Sequence, residues 1–152
     1  MKGVAMTVDR SLQIFDLTHE IEPQNIWQAS FVLNGTIEYW PKGTVFVSVI
    51  DPGVGTTRKS VVAKTGMGHY IVTPDNGTLT LIEDTHGVVA MREIDESVNR
   101  RPGSEDLHTF HGRDVYTYTG ARLAAGIIDF KGVGPELPAK PVRLYYQHPS
   151  VA

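Results

Sequence analysis

The sequence predicts an α/β fold, a three-layer α/β/α sandwich around a central sheet that is mostly parallel or mixed. Apolar, β-branched runs alternate along the chain with segments of helical periodicity. Glycine, proline and aspartate cluster where these runs end, as expected for loops between sheet and helix. The 152 residues, of which 41% are hydrophobic, are enough for one domain with its own core.

The first half of the chain contains three predicted elements. An alternating apolar segment predicts a strand over 11–17. Apolar side chains recur every three or four residues over 25–40, which is typical of a helix that begins near Asn25 and ends before Pro41. The almost unbroken apolar run at 44–50 predicts a buried strand.

The second half continues the alternation. We predict a strand pair around the turn Gly66-Met67-Gly68 (60–64 and 69–72), a short helix (78–86), a strand (88–94), an exposed and mobile polar loop (95–108) and a helix (113–126). Prolines recur after Gly132. We therefore assign residues 1–134 to an α/β domain and residues 135–152 to a proline-rich exit linker.

The composition excludes several classes of partner and chemistry. The net charge is −3, and the 14 lysines and arginines form no basic run, so we expect no nucleic-acid partner. The chain has no cysteine, which excludes disulfides, thiolate catalysis and cysteine zinc sites. No apolar stretch approaches the roughly 20 residues of a membrane helix. We expect a cytoplasmic protein without a membrane partner.

The segment from Asp51 to Arg58 is the strongest indication of a functional site. It follows the predicted strand at 44–50, and in open α/β sheets ligands bind beyond the carboxyl ends of strands. Gly53 and Gly55 permit backbone conformations closed to other residues and let a ligand approach the main chain. The alternative is a simple connection in which the aspartate and the arginine form a solvated pair.

Three further loops follow a strand or open a helix, and each has a structural alternative. His19, in the loop after the first strand, could bridge backbone groups. Asp75 or Asn76 could cap the helix at 78–86, and Asp114 could stabilise the positive end of the helix at 113–126. We expect the remaining histidines to lie at the surface: His69, His86, His108 and His148.

The trio Asp51, Arg58 and His111 offers a hydrolytic site. An aspartate can orient a histidine, and an arginine favours an anion such as hydroxide. Neither a Gly-x-Ser-x-Gly nucleophile motif nor a cysteine is present, so the pattern indicates activated water rather than a covalent intermediate. The phosphate-binding and dinucleotide-binding glycine motifs are also absent. A metal site of Asp51, His111 and Asp114 is an alternative, but it lacks compact ligand spacing.

Six motifs occur together and in order: Asp16-Leu-Thr-His-Glu-Ile21, Trp40-Pro-Lys-Gly-Thr44, Asp51-Pro-Gly-Val-Gly-Thr-Thr-Arg58, Pro74-Asp-Asn-Gly77, Thr109-Phe-His-Gly-Arg-Asp114 and Gly120-Ala-Arg-Leu-Ala-Ala-Gly126. With them the chain resembles the S-adenosylmethionine (SAM) hydroxide adenosyltransferases, or SAM hydrolases, relatives of the fluorinases and chlorinases. The resemblance covers nearly the whole chain, and residues 1–134 correspond to the catalytic N-terminal domain.

The resemblance implies hydrolysis of SAM to adenosine and methionine by a water molecule prepared at Asp51, Arg58 and His111. We expect further substrate contacts from Asp75, Asn76, Gly112, Arg113 and Asp114. SAM is the substrate and adenosine the product, so we expect neither a cofactor nor a metal. The resemblance further implies a homo-oligomer, a trimer in this family.

The halogenases of this family differ from the chain at the reacting positions. They carry tyrosines where Asp51 and His111 stand, and hydroxyl side chains where Val54 and Gly112 stand. Valine and glycine cannot offer those donors to a halide. The resemblance therefore favours a hydrolase over a halogenase.

Two departures from the family pattern affect the expected activity. Family members begin with a strand ending in Thr-Asp-Phe-Gly, before a helix that closes in Met-Lys-Gly, whereas this sequence opens at Met1-Lys2-Gly3. They also carry a C-terminal β-barrel-like domain, for which residues 135–152 would be the linker. We expect the 152 residues alone to turn over SAM poorly. A catalytically silent remnant and an adenosine-binding or SAM-binding module are the alternatives.

Overall fold

The computed structural model describes residues 1–150, and a five-stranded sheet forms its centre. Its strands are β1 (Val45–Val47), β2 (Ser60–Thr65), β3 (Tyr70–Pro74), β4 (Val88–Glu93) and β5 (Glu136–Leu137). They lie in the order β1-β3-β2-β4-β5 across the sheet. The strands predicted at 44–50, 60–64, 69–72 and 88–94 are therefore present, although the first is only three residues long.

Along the chain, two helices precede the first strand and the others separate later strands. They are α1 (Lys2–Val8), α2 (Ile26–Ile37), α3 (Thr80–Thr85), a π-helix (Gly112–Thr117) that runs directly into α4 (Tyr118–Ala124), and a short 3-10 helix (Lys131–Val133). As predicted, α2 begins after Asn25, whose side chain accepts a hydrogen bond of 2.9 Å from the backbone N–H of Gln28. The helix predicted over 113–126 is present too, but its first turns are of the π type.

The sheet is mixed rather than mostly parallel. Strands β1 and β3 pair in parallel, whereas β2–β3, β2–β4 and β4–β5 are antiparallel. The reason lies in the connections. The turn at Gly66–Gly68 joins β2 to β3 directly, and so short a connection forces a hairpin because a parallel pair needs a crossover of a dozen or more residues.

Two apolar clusters, one on each face of the sheet, make the three layers. On one face Leu33 and Ile37 of α2 and Ile82 of α3 pack against alternate strand residues such as Val61 and Ile71. On the other face Val115 and Tyr116 of the π-helix pack against Val62 and Val72. Residues 61 and 62 point to opposite faces because side chains alternate along a strand. The predicted α/β sandwich is confirmed.

One expectation for the N-terminal region is wrong. Residues 11–17 lie entirely within the described part of the chain and form no strand, because none of their backbone groups pairs with a neighbouring strand. Phe15 of this segment instead packs on Trp40, with the ring centroids 5.5 Å apart. The segment Met1-Lys2-Gly3, which ends a helix in the family pattern, here stands at the start of helix α1, which runs to Val8.

The loop predicted at 95–108 is exposed over more than half of its residues, as expected, but three buried polar residues anchor it. Asn99, Arg100 and Ser104 are buried. The side-chain amide of Asn99 donates 2.9 Å hydrogen bonds to the carbonyls of Gly132 and Val133, and so ties the loop to the 3-10 helix. Polar composition does not reveal which side chains will find buried hydrogen-bond partners, so the sequence did not predict this anchoring.

The segment predicted as an exit linker packs back on the domain. Strand β5 pairs with β4, and Arg143 forms ion pairs of 2.5 Å with Glu83 and 2.7 Å with Asp84 on α3. The Tyr146 hydroxyl donates a hydrogen bond to Asp84 as well. A boundary at residue 134 stays a prediction.

Candidate functional site

The loop after β1 positions Asp51 and Arg58. Its turn closes with hydrogen bonds from the N–H of Val54 to the carbonyl of Asp51 (3.2 Å) and from the N–H of Thr56 to the carbonyl of Gly53 (3.0 Å). Gly55 has φ +77°, which favours glycine. The compact turn brings the two ends of the loop together, so that the side chains of Asp51 and Arg58 meet.

Asp51, Arg58 and His111 form one hydrogen-bonded group. Arg58 donates to Asp51 through two nitrogens, Nε to Oδ1 at 2.8 Å and Nη2 to Oδ2 at 2.5 Å. The same Nη2 lies 3.0 Å from Nδ1 of His111. Only 6% of the Asp51 side chain and 10% of the Arg58 side chain are exposed, and His111 is buried. The trio therefore forms a well-defined, poorly solvated cluster instead of the solvated pair that was the alternative.

Arg58, and not Asp51, orients His111. A guanidinium nitrogen can only donate, so in this contact Nδ1 of His111 is the acceptor. No hydrogen bond joins Asp51 to His111 within residues 1–150. The expectation that the aspartate fixes the histidine directly is wrong, because the arginine side chain lies between them.

Two residues that the sequence did not single out as functional complete the support of Arg58. Its Nη1 donates to Oγ of Ser60 at 3.0 Å, and that oxygen is 2.9 Å from the hydroxyl of Tyr116. The guanidinium carbon lies 5.7 Å from the centre of the Tyr116 ring. Burial raises the pKa of the Tyr116 hydroxyl, which therefore stays protonated. Arg58 is thus held on three sides.

A second arginine faces the other nitrogen of His111. Nη2 of Arg100 lies 3.3 Å from Nε2, and Arg100 is itself paired with Glu96 at 2.5 Å. Burial lowers the pKa of His111, and the charges of Arg58 and Arg100 lower it further against the opposing effects of Glu96 and Asp51. His111 is therefore held neutral. The polar composition of 95–108 gave no indication of this contact.

Asp114 is fully buried and held by two arginines. Its Oδ1 accepts from Nε of Arg101 at 2.7 Å and from Nε of Arg113 at 2.8 Å. The hydrogen bond from Arg113, followed by that from Arg101, holds the pKa of Asp114 at about 2. Asp114 lies in the first turn of the π-helix, as the helix-end interpretation requires, and the two ion pairs add to that position. The metal alternative fails on the same geometry, because arginines occupy the carboxylates of both Asp51 and Asp114. Within residues 1–150 no group of three acidic or histidine side chains could hold a metal ion.

Gly112 lies next to His111 and packs tightly. A Cβ atom at this position would lie 3.0 Å from Cγ1 of Val49, which is tighter than ordinary contact. The absence of a side chain therefore lets the π-helix approach the strand-exit segment that leads to Asp51.

Asp75 and Asn76 contact Lys59 and Ile50, which are sequence neighbours of the trio, and use their side chains structurally. The side-chain amide of Asn76 donates to the carbonyl of Ile50 at 2.8 Å, and its oxygen accepts from the hydroxyl of Thr78. Asp75 accepts from the N–H of Val142 at 2.8 Å, and burial raises the pKa of its carboxyl. Asn76 joins its loop to Ile50, the residue before Asp51, and the helix α3 that follows begins at Thr80 without a side-chain cap.

The other histidines lie away from the trio or only touch its edge. His19 is largely exposed and pairs with Asp16 at 3.1 Å, so it bridges no backbone groups. His69 is buried and not a surface residue, because Nε2 donates to the carbonyl of Trp40 at 2.8 Å. The ring of His108 is exposed and lies 6.4 Å from that of His111.

A mainly apolar cleft of about 220 Å³ lies on one side of the domain. It lies between α2, β1 and the segment 17–21, and its lining includes Leu17, Ile21, Val32, Phe46 and Ile50. Its last lining residue, Ile50, directly precedes Asp51 in the sequence.

Comparison with known proteins identifies the family. Residues 1–134 match the SAM hydroxide adenosyltransferase N-terminal domain. The chain belongs to the SAM hydroxide adenosyltransferase family. The resemblance found from the sequence motifs is thereby confirmed.

Individual relatives agree with this assignment. The chain is 42% identical over 127 residues to the (R)-S-adenosyl-L-methionine hydrolase of Methanocaldococcus jannaschii, a match that covers 81% of this chain and 46% of the relative. A relative of the same name from Thermus thermophilus is 38% identical over 84% of this chain and 51% of its own length. Fluorinases are among the relatives at 25% to 30% identity.

A solved structure has the same fold. The crystal structure of an uncharacterized conserved protein from Thermotoga maritima superposes with a TM-score of 0.91 at 38% identity, over 99% of this chain and 56% of that one. The chain spans about half the length of the curated relatives it matches. None of the helices found within residues 1–150 has the length and apolar character needed to cross a membrane. The cytoplasmic location stays a prediction.

Proposed function

We propose that this chain carries the catalytic residues of an enzyme that hydrolyses SAM to adenosine and L-methionine. The observation that carries the proposal is the single nitrogen, Nη2 of Arg58, that joins Asp51 and His111 in a buried cluster. The relatives named (R)-S-adenosyl-L-methionine hydrolase support the substrate class, and we propose the R form for this chain too.

The reaction places simple demands on such a site. The oxygen of water forms a bond to C5′ of the ribose while the bond from C5′ to sulfur breaks. The electron pair of that bond stays on sulfur, which leaves as the neutral thioether of methionine, and the surplus proton of the water passes to solvent. A general acid is not needed. The site has to orient the water in line with the departing sulfur and polarise it.

The three side chains divide these tasks in the proposed mechanism. Arg58 supplies a permanent positive charge that favours hydroxide character in the water. Asp51 holds that guanidinium through two hydrogen bonds. His111, kept neutral by burial and by its cationic neighbours, contributes an oriented ring rather than an acceptor for the proton.

The test is to incubate the chain with the R form of SAM and to measure adenosine and methionine by chromatography. The M. jannaschii relative serves as the positive control. We expect Asp51→Ala, Arg58→Ala and His111→Ala each to lower the rate by about tenfold to a thousandfold. Lys59→Ala is the matched control, because Lys59 lies on the same loop in an exposed pair with Glu93. Undiminished rates in all three variants would contradict the assignment.

The length of the chain relative to its relatives bears on the rate. Because the chain spans about half the length of the relatives it matches, we propose that it releases adenosine more slowly than the M. jannaschii relative. The alternative is a silent or SAM-binding module. Calorimetric binding of SAM with no adenosine released, under conditions where the relative is active, would favour that alternative.

A halogenase is the less favoured function. Val54 carries no hydroxyl, and the close contact of Gly112 with Val49 leaves no room for one at residue 112 without a shift. Chloride or fluoride added to the assay should therefore yield no halogenated adenosine. We also propose a homotrimer, for which light scattering should give about three times the chain mass of 16.7 kDa.

A further inference from the structure

Arg100 lies on the opposite side of the His111 ring from Arg58. Its Nη2 is 3.3 Å from Nε2 of His111, while Arg58 contacts Nδ1. Only 5% of the Arg100 side chain is exposed. Each ring nitrogen of His111 therefore faces a buried guanidinium, which is a group that can donate hydrogen bonds but cannot accept them.

The two arginines are each balanced by a carboxylate. Asp51 pairs with Arg58, and Glu96 pairs with Arg100 at 2.5 Å and 3.2 Å. The result is a chain of five groups, carboxylate–guanidinium–imidazole–guanidinium–carboxylate, with no net charge when the imidazole is neutral. A second proton on the imidazole would direct both of its N–H bonds at cations, an arrangement that is unfavourable in a poorly solvated site.

We propose that Arg100, backed by Glu96, is a positioning residue whose buried charge keeps the His111 imidazole neutral beside Arg58. This inference rests on the proposed function for its catalytic meaning, but its geometry does not depend on turnover. Arg100 acts through His111, whereas Arg58 and His111 form the group proposed to face the water.

The charged and titratable groups around His111 come from three elements. The loop after β1 contributes Asp51 and Arg58, and the loop at 95–110 contributes Glu96, Arg100 and His108. On its own helix, Tyr116 stays protonated and joins the group through Ser60. Arg100 and Glu96 should therefore move the His111 titration in opposite directions, since one is a cation and the other an anion.

A purely structural role for Arg100 is the competing explanation. Its Nη1 also donates to the carbonyls of Ser104 (3.1 Å) and Leu107 (2.9 Å) and so anchors the loop. Arg122 offers a matched control. It anchors the same loop through the carbonyl of Val98 and the side chain of Asn99 at 2.8 Å, and it makes no hydrogen bond with His111 within residues 1–150.

The experiment is an NMR titration of the His111 ring in the 152-residue chain, with the signal assigned by its loss in His111→Gln. We expect Arg100→Gln to raise the pKa of His111 by about one unit, and Glu96→Gln to lower it. Arg122→Gln should leave the pKa of His111 unchanged. Arg100→Lys, which keeps the positive charge, should stay nearer to the wild type than Arg100→Gln does.

Two results would overturn the inference. One is a His111 titration in Arg100→Gln that matches the wild type; the other is a shift of the same sign in Arg100→Gln, Glu96→Gln and Arg122→Gln, which loosening of the loop would produce. If Arg100→Gln does not fold, the Glu96→Gln variant becomes the test: a lowered pKa of His111 supports the inference, and an unchanged or raised pKa contradicts it. Because the titration needs no turnover, a wild type that releases no adenosine contradicts the proposed function and leaves this test intact.

Where the wild type is active, turnover adds a second measurement. Arg100→Gln should lower kcat most strongly at acidic pH, where His111 would become protonated, with KM little changed. A uniform fall of kcat at every pH, matched by Arg122→Gln, would indicate an anchoring role alone and count against the inference.

Discussion

Nη2 of Arg58 lies 3.0 Å from Nδ1 of His111, and the arginine is the only possible donor of the two at that contact. The same nitrogen also donates to Asp51. The geometry of the trio therefore depends on the arginine, which differs from the arrangement in serine hydrolases, where a carboxylate orients the histidine. Substitutions of Arg58 should consequently disturb both partners at once.

Removal of one member of the Asp51–Arg58 pair should destabilise the protein as well as the site. Both side chains are nearly inaccessible, so Asp51→Ala or Arg58→Ala leaves an unpaired buried charge. We expect a loss of about 3–5 kcal/mol in the free energy of unfolding, measured by urea denaturation. Lys59→Ala removes an exposed pair and should cost about 1 kcal/mol or less. Equal stabilities in all three variants would contradict the burial of the pair.

Tyr116→Phe should weaken the support of Arg58 without removing any charge. It deletes the hydroxyl that lies 2.9 Å from Oγ of Ser60, the oxygen that accepts from Arg58. We expect a loss of about 1 kcal/mol in stability and a smaller loss of turnover than in Arg58→Ala. Tyr145→Phe, at an almost fully exposed position, is the control and should match the wild type. A thermal melt and the adenosine assay measure the two effects.

Asp114 should make stability depend on pH in the acid range. Its pKa is about 2 in the folded protein and near 3.8 in the unfolded chain, so the unfolded state takes up a proton first. The contribution is present above pH 4 and is lost as the pH falls towards 2, and its full size is about 2 kcal/mol. Asp114→Asn should flatten the fall in stability between pH 4 and about pH 2. An unchanged slope in that variant would show that another group is responsible.

Gly112→Ser should test how closely the helix approaches the strand-exit segment. Its Cβ would lie 3.0 Å from Val49, so we expect a loss of about 1–3 kcal/mol in stability. Combined with Val49→Ala, it should cost less than the sum of the two single changes. Gly35→Ser is the control, because a Cβ there meets nothing within 4 Å. Additive losses in the double variant would argue against a direct clash.

Local sequence patterns predicted most of the sheet and three of the helices. The apolar run before Asp51 and the hairpin turn at Gly66–Gly68 depend on neighbours in sequence, and both are confirmed in the structure. The strand predicted over 11–17 is wrong because an alternating apolar pattern alone does not provide a partner strand. The buried anchoring of 95–108 was missed for a related reason: its partners, such as Gly132, are far away in sequence.

For the candidate site, the sequence by itself determined which residues could do the chemistry: an aspartate and an arginine on one glycine-containing loop, and a histidine 53 positions beyond the arginine. Only the tertiary structure decided their order in space. Arg58 lies between the other two, with Ser60 and Arg100 added from segments that carry no motif. The physical reason is that a buried charged or polar group needs a hydrogen-bond partner. The packing of the layers decides which donor or acceptor lies near it, and sequence spacing does not encode that proximity.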